Sequence, residues 1–262
     1  MKSKLLLNIL SSFRVLEVLE KLSIKSKTKN ELKNSLDTSS SSLAQILSKM
    51  VNSGMIEQNG DVFRILPRGE FILKIQKTLD CYEKFLNRFG DYINLYTLED
   101  IPENLVLRFY ELNEIEVVER SEDVFLPHRE FIEGLSESKE IYGYSTIFFP
   151  EYISVFLKFA EERKKIEIIV SEDVFRQILG SYRDELESGI EYENVSFYVS
   201  KKKLKFSFVV SDVFFSISFY TRNGFFDYKR DFVCRSKDSI RWGMELFNYV
   251  KAISLKKMPQ NL

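Results

Sequence analysis

The chain has 262 residues, 44% of them hydrophobic and 29% charged, with a formal net charge of −1, an ordinary globular composition with material for two domains. Its two cysteines, Cys81 and Cys234, exclude a disulfide framework and point to a reducing compartment. No apolar run reaches the ~18 residues of a membrane span, and the start of the chain lacks a small-residue cleavage site, so a cytoplasmic protein with no membrane partner is expected.

The near-neutral total hides an asymmetry. Residues 1–80 hold 13 Lys and Arg against 8 Asp and Glu, and the remaining 182 hold 25 against 31. A basic head on an acidic body suits nucleic-acid binding by the head. In chain order, Leu6, Ile9, Leu10, Phe13, Leu16 and Leu19 recur at helical spacing, predicting a helix over residues 4–22. Thr28 followed by Glu31 reads as a capping box that opens a short helix, 29–36. Serines 39–42 can cap the next helix, whose apolar face is Leu43, Ile46, Leu47 and Met50. Gly54 is free to close it in the left-handed conformation. Two alternating runs, 55–58 and 61–65, flank Asn59-Gly60, a hairpin signal in which both turn residues are expected at positive φ. Helix, helix, turn, helix, hairpin is the order of a winged helix-turn-helix.

A long amphipathic helix follows, about 69–98, and the domain boundary is placed inside it, giving domains 1–80 and 81–262. Pro102 starts a short helix around 105–112. Beyond residue 115, strand-like runs (115–119, 141–148, 166–170) alternate with helical ones (127–136, 151–163, 173–187), predicting a mixed α/β layer with some parallel pairing. Ser121-Glu122-Asp123-Val124-Phe125 and Ser171-Glu172-Asp173-Val174-Phe175 read as one helix-start signal used twice. Further strands are expected at 195–199, 204–210, 214–220 and 231–234, and a last helix at 238–254. The fold class is therefore a winged helix-turn-helix domain followed by a mixed α/β C-terminal domain.

A helix that enters the DNA major groove needs small polar residues at its leading end. Ser40, Ser41, Ser42, Gln45, Ser48 and Lys49 offer such a face, with Gln45 able to pair with adenine. Lys27, Thr28, Lys29 and Lys33 on the preceding helix suit phosphate contacts, as do Asn59 and Arg64 on the hairpin. Double-stranded DNA is the expected partner. Two heads are needed for tight specific binding, so a homodimer is expected, with the 69–98 helix as candidate seam. Strand aromatics of the body (Tyr142, Tyr144, Phe148, Tyr198, Phe206, Phe208, Tyr220) could line a small-molecule effector pocket or form core.

Several motifs resemble the archaeal winged-helix regulators of the methanogenesis regulatory protein (FilR) type. Ile65-Leu66-Pro67-Arg68-Gly69 is similar to that family's LTxxG exit from the wing, with Pro in place of Thr. Leu98-Glu99-Asp100-Ile101-Pro102-Glu103-Asn104-Leu105 is similar to its HxLxxIPxxL run. Asn223-Gly224-Phe225-Phe226-Asp227-Tyr228 and Arg241-Trp242-Gly243-Met244-Glu245-Leu246-Phe247 are similar to its DGxYD and WGxxLF close. The likeness runs from about residue 4 to 252, and Tyr96 stands where the family often has His. It implies a transcription regulator with a C-terminal sensing or assembly domain, and supplies no ligand.

An enzyme reading finds little support. The chain has one histidine, His128, so no multi-His metal site can form. A phospholipase D-like phosphodiesterase, the catalytic alternative, needs His-x-Lys, and His128-Arg129-Glu130 lacks the lysine. Cys-x-x-Cys, Walker, Gly-x-Ser-x-Gly and dinucleotide fingerprints are missing. No catalytic residue, metal or cofactor is assigned. The second non-enzymatic reading is a winged-helix module for protein–protein contact.

Overall fold

The computed structural model describes residues 12–36, 38–119 and 129–258. The chain forms two compact units, Met1–Cys81 and Tyr82–Leu262.

In the first unit, α1 (Phe13–Ile24) buries Val18, Leu19 and Leu22; the predicted start of this helix, residues 4–11, lies outside the described residues. A two-residue strand, β1 (Lys27–Thr28), leads into α2 (Lys29–Ser35), and α3 (Ser40–Asn52) buries Leu43, Leu47 and Met50. The hairpin β2 (Ile56–Asn59) and β3 (Val62–Ile65) follows, and the sheet order is β1-β3-β2, all antiparallel. This is a winged helix-turn-helix. Sequence periodicity misses β1, because two residues carry no alternation.

The hairpin turn differs from expectation by one residue. Asn59 pairs with Val62, which leaves Gly60 and Asp61 as the loop. Positive φ falls on Gly60 (63°) and not on Asn59. A glycine at the first loop position supplies the left-handed backbone that a two-residue loop needs, so Asn59 is free to finish the strand.

Helix α4 (Pro67–Ile93) carries its proline at the first helical position, where the missing N–H costs nothing. Gly69 sits where a Cβ would lie 2.5 Å from the Met55 carbonyl oxygen and 3.0 Å from Leu19 Cδ2. Only glycine lets this helix start so close to the end of the third. The helix stops five residues short of the expected Leu98. Tyr96 forms a bridge to Thr221, and its hydroxyl donates to Asp227 Oδ2 at 2.5 Å. These long-range bonds pull the last predicted residues out of helical geometry.

In the second unit, α5 (Glu103–Val106) and a 3-10 turn (Phe109–Leu112) replace the predicted single helix. The strands are β4 (Glu116–Glu119), β5 (Glu140–Ser145), β6 (Lys165–Ser171), β7 (Val195–Ser200), β8 (Phe206–Ser211), β9 (Phe215–Phe219), β10 (Arg230–Cys234) and β11 (Ser254–Lys257). They form one sheet ordered β11-β7-β6-β5-β8-β9-β10-β4, parallel only within β5-β6-β7. The helices are α6 (Arg129–Glu137), α7 (Glu151–Glu161), α8 (Glu172–Ser181), α9 (Arg183–Glu191) and α10 (Lys237–Ala252). The predicted helix 173–187 is thus two helices, broken at Tyr182 (φ −143°, ψ 37°). Ser171 caps α8 by accepting from Val174 N–H, so the second copy of the repeated word is a helix start. The first copy and His128 lie outside the described residues.

Alternation divides this sheet into two faces. Tyr142, Tyr144, Phe206, Phe208, Phe215, Phe219 and Phe232 share one core with Trp242 and Phe247 of α10. Trp242 Nε1 donates to the Leu105 carbonyl at 3.0 Å, which satisfies its one polar atom in a fully buried site. The other face carries Ile166, Ile168 and Val170, covered by α7, α8 and α9.

Candidate nucleic-acid interface

The helix-turn-helix is fixed by its caps. Thr28 Oγ1 accepts from Glu31 N–H (3.2 Å), and Glu31 Oε2 accepts from Thr28 N–H (2.7 Å) and Oγ1 (3.0 Å). These bonds, aided by nearby Lys25 and Lys27, hold the Glu31 carboxyl below its ordinary pKa. Ser39 caps α3 by accepting from Ser42 N–H at 3.2 Å, and its hydroxyl also meets those of Ser41 and Ser42. Each such cap stabilises a helix start by about 1 kcal/mol. At the other end, Gly54 takes φ 66°, and Arg68 Nη1 donates to the Ser53 carbonyl at 2.7 Å. That bond ties α3 to the start of α4.

With Leu43, Leu47 and Met50 turned inward, the remaining face of α3 is polar. Ser40, Ser41, Ser42, Gln45, Ser48 and Lys49 are all exposed. The residues assigned from sequence to this face therefore lie together on one helix. Lys33 is exposed on α2, while Lys27, Thr28 and Lys29 are half-buried at its start. Thr28 is occupied by its capping box, so its hydroxyl is committed to the fold. Asn59 and Arg64 are exposed on the hairpin, but Arg64 Nε pairs with Glu57 Oε1 across the strands at 2.9 Å. An exposed pair of this kind contributes ~0–1 kcal/mol, so a competing anion can displace Glu57. Among the described residues, Lys27, Lys29, Lys33 and Lys49 enter no ion pair. A polar helix start with free N–H groups, flanked by unpaired ammonium groups, can hold phosphate oxygens and present Gln45 to a base edge.

Sequence reasoning passed over β1. Its pairing of Lys27 with Phe63 and of Thr28 with Val62 fastens the basic segment before α2 to the hairpin.

Of the body aromatics weighed as pocket or core, Tyr142, Tyr144, Tyr198, Phe206 and Phe208 belong to the main core cluster. Phe148 and Tyr220 instead line a polar hollow on the opposite side. Burial alone cannot separate these two groups in a sequence.

Comparison with known proteins agrees with the motifs. Residues 124–253 match the family described as methanogenesis regulatory protein FilR1, middle domain. A curated relative, methanogenesis regulatory protein FilR1 of Methanothrix harundinacea (strain 6Ac), is 22% identical over 225 residues, which is 84% of this chain. The chain spans half the length of that relative. Among solved structures, TrmBL2, an archaeal chromatin protein described as showing a novel mode of DNA binding, aligns over 98% of this chain and all of its own, at 14% identity and TM-score 0.44. The Agobacterium tumefaciens repressor BlcR aligns over 97% of each chain at 11% identity and TM-score 0.26. Residues 124–253 thus match the FilR1 middle-domain family, and the chain is similar to a FilR1 regulatory protein.

Proposed function

We propose that the protein is a transcription regulator that binds double-stranded DNA through α3 and the hairpin, as a homodimer, with Tyr82–Leu262 as its sensing or assembly domain. The observation that carries this reading is the open polar face of α3, led by serines and flanked by lysines that enter no ion pair among the described residues. A relative that is itself a regulatory protein supports the same direction. Lys27, Lys29, Lys33, Lys49 and Arg64 serve as phosphate contacts, and Ser40, Ser41, Ser42, Gln45, Ser48 and Asn59 face the grooves. Thr28 contributes by holding α2 in place. The role is regulatory and not catalytic.

Exposed apolar side chains along α4 support dimerisation. Phe71, Leu79 and Leu86 are 64%, 44% and 52% exposed, and spacings of eight and seven residues put them on one stripe of the helix. A second copy offering the same stripe would cover both.

The competing reading, a protein–protein module, would require an apolar patch on α3, whereas its exposed face is polar. A gel-shift titration of the full chain against the promoter of its own gene, across a salt series, tests the proposal. Four or five phosphate contacts predict that log affinity falls with log salt at a slope of roughly −4. A salt-independent interaction, or none with any duplex, would overturn it.

A further inference from the structure

A cavity of about 150 Å³ lies between β6 and β7 and the helices α7, α8 and α9. Its walls are mostly hydrocarbon, Phe156 and Leu157 from α7, Ile168 and Val170 from β6, Val174 and Ile178 from α8, with Glu185 of α9 the one carboxylate among them. Protein interiors are close-packed and seldom keep a void larger than a water molecule. This one is partly open to solvent, yet its walls offer water almost no hydrogen-bond partner, and an apolar space of this size admits a benzene-sized guest.

The roof explains how a guest enters. No residue of α9 is buried. Its Leu186, Gly189 and Ile190 overlie the cavity without filling it. A Cβ on Gly189 would approach Leu157 Cδ2 at 3.3 Å, so this position points toward α7 and the empty space. The break at Tyr182 separates α9 from α8, which lets the short helix shift without disturbing the β6-β7 ladder.

Beside the cavity lies a separate polar hollow. Ile147 and Phe148, in the loop after β5, line both the cavity and this hollow, which is also lined by Thr146, Arg176, Gln177, Lys203 and Tyr220. That hollow is rich in donors. Its one carboxylate, Asp173, is paired with Lys203 at 2.9 Å, and this contact holds its carboxyl below the ordinary pKa. Arg176 is paired with Glu172 at 3.1 Å, and both are largely exposed; an entering carboxylate can replace such a partner at little cost.

We propose that this cavity binds a small organic acid, with a hydrocarbon end of about six carbons inside the cavity and its carboxylate beside Arg176. This names a ligand class for the sensing role proposed above and rests on that reading only for the regulatory consequence. The test uses the full chain without DNA, so its outcome is separate from that of the DNA titration. Benzene and phenylacetate are titrated by ligand-observed NMR and thermal shift. Both should bind saturably in the millimolar range or tighter, with phenylacetate the stronger. Arg176→Gln should weaken phenylacetate by about threefold or more and leave benzene unchanged. Gly189→Leu, which fills the roof against Leu157, should abolish both in a variant that still melts cooperatively. Val174→Phe, which fills the cavity from α8, repeats the test should the first variant fail to fold. Absence of saturable binding, or unchanged binding in a folded filled variant, would overturn the site. Equal effects of Arg176→Gln on both probes would overturn the carboxylate assignment.

Discussion

Among the described residues, Met1–Cys81 buries aliphatic side chains, methionines and a single aromatic ring, Phe63, from α1, α2, α3, the hairpin and the start of α4; the main core of Tyr82–Leu262 is rich in aromatic rings. In the larger unit, Phe232 alone has the rings of Phe89, Tyr96 and Phe219 with centroids at 4.8, 5.5 and 5.6 Å. Aliphatic packing of the smaller unit uses only one side of α3, so its polar face stays exposed. Aromatic packing fills one side of the larger unit's sheet around Trp242, while the opposite side, also lined by rings, keeps an apolar cavity. The two units thus differ in what they offer: one presents a polar helix face, the other an apolar hollow.

The sharpest way to break this contrast is to remove a ring from the sheet face around Trp242. Trp242→Ala should destabilise the second unit by about 3–5 kcal/mol, since it empties a fully buried site and orphans the Leu105 carbonyl. Urea denaturation followed by circular dichroism reads this, and a loss below ~1 kcal/mol would mean the face is not close-packed. Gly69→Ala probes the smaller unit. Glycine-to-alanine changes inside helices usually stabilise by up to ~1 kcal/mol. Here the Cβ would strike the Met55 carbonyl, so a loss of about 1–3 kcal/mol is expected in the melt of the first unit. A gain would contradict the close approach.

A smaller effect concerns acid. Arg108 pairs with Glu245 at 2.5 Å and with Glu111 at 2.8 Å, and its hydrogen bond holds the Glu245 carboxyl below the ordinary 4.5. The folded state therefore binds fewer protons than the unfolded one around that pH. The stabilisation is present above about 4.5 and is lost as pH falls through the lower folded value. Because Glu245 is part-exposed, the loss is well under ~1 kcal/mol. Glu245→Gln should flatten the decline of melting temperature between pH 5 and 3. An unchanged profile would mean the pair contributes nothing.

Much of the first unit was legible because its signals are local. Thr28 with Glu31, the serines before Leu43, Gly54 and Asn59-Gly60 each specify their own few residues, and the exposed face of α3 follows from helical spacing. What escaped is what depends on distant partners. Residues 94–98 left the expected helix because Tyr96 bonds to Asp227, 131 positions away. The short strands β1 and β11 exist only through pairing with β3 and β7. The Arg64–Glu57 pair follows from register, which a one-residue error in the hairpin turn would have hidden. The cavity was illegible for the same reason, since its walls come from three helices and two strands whose apolar residues read simply as core.

In the proposed function, the exposed face of α3 and the hairpin meet DNA. The direct test is the double variant Lys49→Ala/Arg64→Ala, checked for an unchanged circular dichroism spectrum and titrated with the promoter duplex at several salt concentrations. Losing two phosphate contacts should weaken binding at least about tenfold and reduce the magnitude of the salt slope by roughly 1.8. Affinity and slope equal to those of the unaltered protein would contradict it.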